Sequence, residues 1–268
     1  MSQLALRSLG NSSNMMTQAM ERLSTGKRVN SAADDAAGLG IATKLKAQVN
    51  SLNAASRNAT DALALIGTID GALEESSEIL LRMRELAVQS GSGTASNSDK
   101  DYMNLEMSNL VVQVEEMSLN TKFNGRQLLR GEQFSFYTDH DIGGMKITTA
   151  EADMAVTSLG VPSTTVSIGG GVPQSNLRNV IQAIDTALES VSTKRAHLGA
   201  ISNRFDHIVD NLQNVIMNTV QSQSRIVDAD FSIETANLTR NTVLQQAATS
   251  MLAQANAQKN SVLTLIQQ

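Results

Sequence analysis

The sequence contains no cysteine and no tryptophan, and aromatic residues make up only 3% of its 268 positions. The lack of cysteine excludes disulfides and thiolate chemistry, which suits a cytosolic protein and equally an exported one that must stay threadable until it folds. So few rings leave little material for a compact core, and whatever core exists is aliphatic and elongated. The two prolines, Pro162 and Pro173, both lie in the centre, so nothing interrupts a helix in residues 1–161 or 174–268. A basic cluster is missing as well. A net charge of −5 and a pI near 5.3 argue against nucleic acid or an anionic membrane as partner. No stretch approaches a membrane span, and Met1 to Gly10 hold no apolar run of the length a signal peptide needs.

What the chain does have is helical hydrophobic periodicity on both sides of an off-pattern centre. Leu177, Ile181, Ile184, Leu188, Val191, Arg195, Leu198, Ser202, Phe205, Val209, Leu212, Ile216 and Thr219 follow alternating steps of four and three. Met103, Met107, Leu110, Val114 and Met117 repeat the pattern before a Gly-, Ser- and Thr-rich middle. The flanks can pack on each other only if the middle is looped out. The fold class expected is therefore mainly α: a long antiparallel helical coiled-coil rod with a small β-hairpin-rich insert.

Leu9, Met16, Met20 and Leu23 mark a first amphipathic helix that should stop at Ser24-Thr25-Gly26. Ser31, preceding Asp34 and Asp35, suggests a helix start near residue 32. From about Ala33 the second helix can run to Ser90, with Leu45, Val49, Leu52, Ala59, Leu63 and Ile66 on one stripe. The stripe then shifts to Ile69, Leu73, Leu80, Met83 and Ala87. A helix of that length, roughly 85 Å at about 1.5 Å per residue, needs companions to bury its stripe. Gly91-Ser92-Gly93 breaks it, Ser98 to Asp101 are expected to cap the next helix, and Asn124-Gly125 signals a turn. In residues 126–174, Phe134 to Tyr137, Met145 to Thr149 and Thr164 to Ile168 read as short strands, with Gly143-Gly144 and Gly169 to Gly171 as turns. The last stretch, Asp230 to Gln268, is Ala-, Gln- and Asn-rich, with Leu244, Ala248, Met251, Ala255 and Val262 on one face.

Chemistry-bearing constellations are few. Asp34-Asp35, Glu74-Glu75, Glu115-Glu116 and the acids around Asp228 and Asp230 stand beside no candidate nucleophile or histidine and read as solvated faces or helix caps. His140, His197 and His207 are too widely spaced for a recognisable metal site, although Asp139 and Asp141 flank His140. Gly169 to Gly171 lack the Lys and Ser/Thr that a phosphate loop requires. Met103, Met107 and Met117 read as core. The expectation is a protein that is not an enzyme and carries no cofactor and no metal.

The run Glu21-Arg22-Leu23-Ser24-Thr25-Gly26-Lys27-Arg28-Val29-Asn30-Ser31-Ala32-Ala33-Asp34-Asp35-Ala36-Ala37-Gly38 resembles the most specific signature of bacterial flagellins. Ala55-Ser56-Arg57-Asn58-Ala59, Met83 to Gln89, Phe123-Asn124-Gly125, Ser224 to Asp230, Leu244 to Ala247 and Met251 to Asn256 resemble further family motifs in family order. The likeness covers about 1–125 and 175–268. It implies an inner coiled-coil domain from 1–33 plus 228–268, a helical rod domain from 34–125 plus 175–227, and the 126–174 insert in place of a large outer domain. It also implies an extracellular structural subunit that polymerises with copies of itself into the filament used for swimming, exported by a type III route without a cleaved signal peptide.

On this resemblance the assembly interface comprises Leu9, Met16, Met20, Leu23, Leu244, Ala248, Met251, Ala255 and Val262, in terminal segments largely disordered before assembly. Further partners implied are an export chaperone, the filament cap and hook-junction proteins. Arg82, Leu86 and Glu106 match positions through which family members engage the Toll-like flagellin receptor of animal hosts. The alternative is a hook–filament junction adaptor of the same family. Two departures stand out: Met1 to Leu4 lack the usual short segment before the first helix, as if some ten residues were missing, and Gln267-Gln268 replace the usual terminal basic residue.

Overall fold

The computed structural model describes residues 2–131, 134–138, 146–148 and 153–266. The chain is mainly α-helical: α1 (Ser2–Thr25), α2 (Ala36–Ser90), α3 (Asn97–Asn120), α4 (Gln174–Val227) and α5 (Phe231–Ile266). Two antiparallel hairpins interrupt them, β1 (Lys122–Phe123) with β2 (Arg126–Gln127) and β3 (Ser135–Tyr137) with β4 (Lys146–Thr148). Contacts divide the chain into two units, residues 1–50 with 215–268, and residues 51–214. Both α2 and α4 contribute residues to each.

The 51–214 unit has an aliphatic core drawn from three helices. Ile69, Leu73, Leu80 and Met83 of α2, Met107 and Val114 of α3, and Ile184, Val191 and Phe205 of α4 are all at most 1% exposed. The four-three repeat beginning at Leu177 is buried or half-buried at every position, so the periodicity marks the seam as expected. Phe205 meets Phe136 edge to face at 6.0 Å, which ties β3 to α4.

Helix starts differ from expectation in two places. Instead of continuing from residue 32, residues 30–34 form a turn in which the Asp34 carboxylate accepts from the backbone N–H groups of Asn30 and Ser31. The Asp35 carboxylate then accepts from Gly38 N–H at 2.8 Å and caps α2, which starts at Ala36. At α3 the cap is Ser96, not Ser98 to Asp101. Ser96 and Asp99 exchange side-chain and backbone hydrogen bonds in a reciprocal capping box, which requires a spacing of three.

The centre of the chain combines short two-stranded hairpins with segments that dock on the helices. Asn124 and Gly125, both at positive φ, close β1 onto β2. The expected strand at Thr164 to Ile168 is absent: the segment is turns and irregular backbone, yet Val166 and Ile168 are buried. The reason lies in its hydrogen bonding, because Asn104 of α3 accepts from Ile168 N–H and Asp101 accepts from Gly170 N–H. Side chains of α3 thus take the place of a partner strand. The expected Gly143-Gly144 turn and His140 lie outside the described residues.

Candidate assembly surface

In the 1–50 and 215–268 unit, α1 lies antiparallel along α5. The junction is fixed by backbone. Arg28 N–H donates to Val227 C=O at 2.6 Å, Ala229 N–H donates to Gly26 C=O at 3.0 Å, and Lys27 bridges Asp228. Gly26, at φ 69°, ends α1 in the left-handed conformation that helix termini favour. Asp230 accepts from the N–H groups of Ser232 and Ile233 and caps α5. The acids at 228 and 230 are thus structural.

The residues that α1 and α5 turn toward each other mix leucine and methionine with small and polar side chains. On α1 they are Leu9, Ser12, Met16, Ala19 and Leu23; on α5 they are Glu234, Leu238, Asn241, Gln245, Ala248, Leu252 and Ala255, all buried or half-buried at four-three spacing. Arg22 donates to Glu234 at 3.0 Å with side chains 25% and 9% exposed. Thr242 meets the Met16 sulfur at 3.9 Å. Other large apolar side chains point the other way. Met15 and Met20 on α1, and Phe231, Ile233, Val243, Leu244 and Met251 on α5, are all exposed, Met251 by 64%.

The predicted interface residues therefore divide. Leu9, Met16, Leu23, Ala248 and Ala255 sit in the seam within the chain, whereas Met20, Leu244 and Met251 face outward. Val262 lies on α5, where its side chain is outside the described residues. Phe231, Ile233 and Val243 were missed, because they fall off the stripe that the Ala-rich periodicity suggested.

The three positions matched to host-receptor contact also divide. Arg82 on α2 and Glu106 on α3 form an exposed ion pair at 2.9 Å, with Glu85 a second partner of Arg82 at 2.8 Å. Hydrogen bonds from Arg82 to Glu85 and then to Glu106 hold its guanidinium pKa above the ordinary arginine value. Leu86 is 1% exposed and packed in the core, so it is no part of the surface that Arg82 and Glu106 present.

Among the described residues no group of three or more potential metal ligands clusters, and no helix is long and apolar enough to cross a membrane. What the geometry offers is surface. The N-terminal helical region of bacterial flagellins matches residues 1–133, and their C-terminal helical region matches residues 181–266. The chain belongs to the bacterial flagellin family. It is 40% identical to a flagellin of Halalkalibacterium halodurans over 98% of this chain and 96% of that one. It is 34% identical to a 31.3 kDa flagellar filament core protein of Treponema maltophilum, over 97% and 96%. A Vibrio parahaemolyticus chain assigned to the flagellar hook-associated proteins aligns over 73% of this chain and all of its own, with a TM-score of 0.64 at 14% identity. That last likeness shows a shared fold alone. Residues 134–180 lie between the two matched regions, and among the described ones Phe136 packs on Phe205 and Ile168 is held by Asn104.

Proposed function

We propose that this chain is the structural, non-catalytic subunit of a bacterial flagellar filament, polymerising with copies of itself outside the cell. The observation that carries this reading is the apolar surface left on the terminal helices. Their mutual seam takes in Leu9, Met16, Leu23, Leu238 and Leu252 with small and polar neighbours, and a second set of large apolar residues, Met20, Phe231, Leu244 and Met251 among them, is exposed. Exposed apolar surface on this scale marks an interaction site. Repetition of a heterologous contact gives an open helical polymer. An inner domain of the terminal helices, with the central segment toward the outside, follows the family organisation. The same apolar faces are what an export chaperone has to cover and what the cap and hook-junction proteins meet. Recognition by a host receptor, if present, involves Arg82 and Glu106, without Leu86.

The test is elongation of filament seeds by purified protein, followed by electron microscopy. A filament subunit extends the seeds continuously, whereas a junction adaptor adds once and stops. Leu244→Asp or Met251→Asp should abolish elongation while leaving the soluble chain folded, since both positions are exposed; filaments of normal length from both variants would sink the assignment of that face. Limited proteolysis of the unassembled chain should cut residues 228–268 before residues 51–214, and equal resistance of the two would count against burial of the terminal pair being completed on assembly.

A further inference from the structure

The α1–α5 seam poses a problem of alignment. Leu9, Met16 and Leu23 recur every seven residues on α1, as do Leu238, Gln245 and Leu252 on α5, with Asn241, Ala248 and Ala255 between them. A slip of one heptad sets similar side chains opposite each other again, so hydrophobic pattern discriminates poorly between the two alignments. Beside the uncharged polar Asn241 and Gln245, two features of the seam do not repeat with that period. One is the backbone junction that joins residues 26–29 to 227–229. The other is the Arg22–Glu234 pair, in which the Glu234 side chain is 9% exposed and Arg22 Nε is buried without a partner.

We infer that Arg22 and Glu234 set the register of the terminal helices: the ion pair excludes the heptad-slipped alignment and so ensures that every subunit offers the same outward apolar surface. In a slipped pairing the Glu234 carboxylate, now 9% exposed, would face the Met15 and Met16 level of α1 without its partner, and an unpaired buried charge is strongly disfavoured. The pair adds little net stability where it stands, because desolvation offsets its attraction. Its effect is on specificity, as a single polar residue in a coiled-coil seam fixes alignment. A helical polymer needs this, since a subunit with a slipped α5 displaces Leu244 and Met251 by about 10 Å at about 1.5 Å per residue and breaks the lattice contact. The inference rests on the reading of α1 and α5 as the assembling segments.

The absence of cysteine makes the register directly measurable. Met16→Cys with Thr242→Cys reports the observed alignment, in which those side chains meet. Leu9→Cys with Thr242→Cys reports the slipped one, because in register Leu9 lies a further two turns away, beyond disulfide reach. Each pair is placed in the full chain, alone and together with Arg22→Met and Glu234→Met, which remove both charges and keep an apolar seam. Cross-linking is read in the soluble chain and in the seeded polymer. Relative to the in-register cross-link, the slipped cross-link should rise about tenfold in the double-Met background. Arg22→Glu alone should reduce the in-register cross-link, and adding Glu234→Arg should restore it. A slipped signal that stays at background in the double-Met chain, or a charge swap that fails to restore the signal, overturns the inference. Failure of the parent chain to extend seeds would count against the filament reading instead, and leaves the cross-linking ratio in the soluble chain to decide the register.

Discussion

The seam of the 51–214 unit and that of the terminal pair are both built on four-three spacing, yet they are filled differently. In the first, Ile184, Val191 and Phe205 of α4 share one core with Leu73, Leu80 and Met83 of α2, and every one is fully buried. In the second, Leu9, Met16, Leu23, Leu238 and Leu252 are only half-buried among Ser12, Asn241, Gln245 and Ala248, while Phe231, Leu244 and Met251 face out. Both units expose large apolar side chains, Tyr102 and Leu105 among them in the first, but among the described residues the largest fully buried ones all belong to the first. A filament subunit needs both: a part that holds its shape in every state, and a part whose burial is completed only in the polymer.

Truncation breaks this comparison most severely. Phe205→Ala removes a fully buried ring that meets Phe136 edge to face, and should cost about 3–5 kcal/mol. Met251→Ala, at 64% exposure, should stay within about 0.5 kcal/mol in the soluble chain. Urea unfolding followed by circular dichroism reads both. A comparable midpoint shift for the two variants would erase the distinction between the units.

Gly170→Ala should have a smaller effect, confined to the central segment. A Cβ there would stand 2.8 Å from the Asn97 carbonyl oxygen and 3.1 Å from its Cα, and backbone cannot move aside cheaply. The expected cost is about 1–3 kcal/mol. It should be accompanied by faster hydrogen exchange at the Ile168 and Gly170 amides, which Asn104 and Asp101 hold. Unchanged exchange would mean that the segment is not fastened to α3 at that point.

The same comparison explains how much of the molecule was legible in the sequence. Burial within the chain is written as apolar periodicity, so the repeat from Leu177 to Thr219 and the stripe from Ile69 to Ala87 could be read directly. The α5 seam could not, because Glu234, Asn241 and Gln245 carry no hydrophobic signal. The stripe drawn through Leu244, Ala248, Met251 and Ala255 therefore mixed inward and outward residues. The segment at 164–168 kept the alternation of a strand without a ladder, since Asn104 and Asp101 supply acceptors that no local pattern announces. Helix starts failed for another reason: both are preceded by several capable caps. Ser96–Asp99 and Ser98–Asp101 are both three apart, and the fold uses the first for the cap while the Asp101 carboxylate accepts from Gly170 N–H.

That choice of cap is a prediction of modest size. Ser96→Ala removes the hydroxyl that accepts from Asp99 N–H and should cost about 1 kcal/mol. Ser98→Ala, two residues further on, should change stability by less than about 0.5 kcal/mol. Equal effects would return the helix start to the later residues.

Acid should act on both units, gently and through different turns. In the terminal unit, the N–H of Ser31, then its hydroxyl, then the N–H of Asn30 hold the Asp34 carboxyl below its ordinary value. In the other, burial works against the charged form of Asp153. The Ser158 hydroxyl, the Ala155 N–H and the charges of Lys194 and Arg130 outweigh it, so its pKa is also lowered. A group whose folded pKa lies below its unfolded one stabilises the fold fully above the unfolded value, about 4 for aspartate, and that contribution is lost as pH falls through the folded value. Both turns should therefore loosen below about pH 4. Hydrogen exchange followed from neutral pH down to that range, corrected for the intrinsic pH dependence of exchange, should show the Ala155 amide, which Asp153 holds, losing protection with the Asn30 and Ser31 amides. Asp153→Asn should abolish the pH step at Ala155 alone. If it flattens both, the two regions respond to acid as one structure, and the division between a self-sufficient unit and a neighbour-dependent one does not extend to their electrostatics.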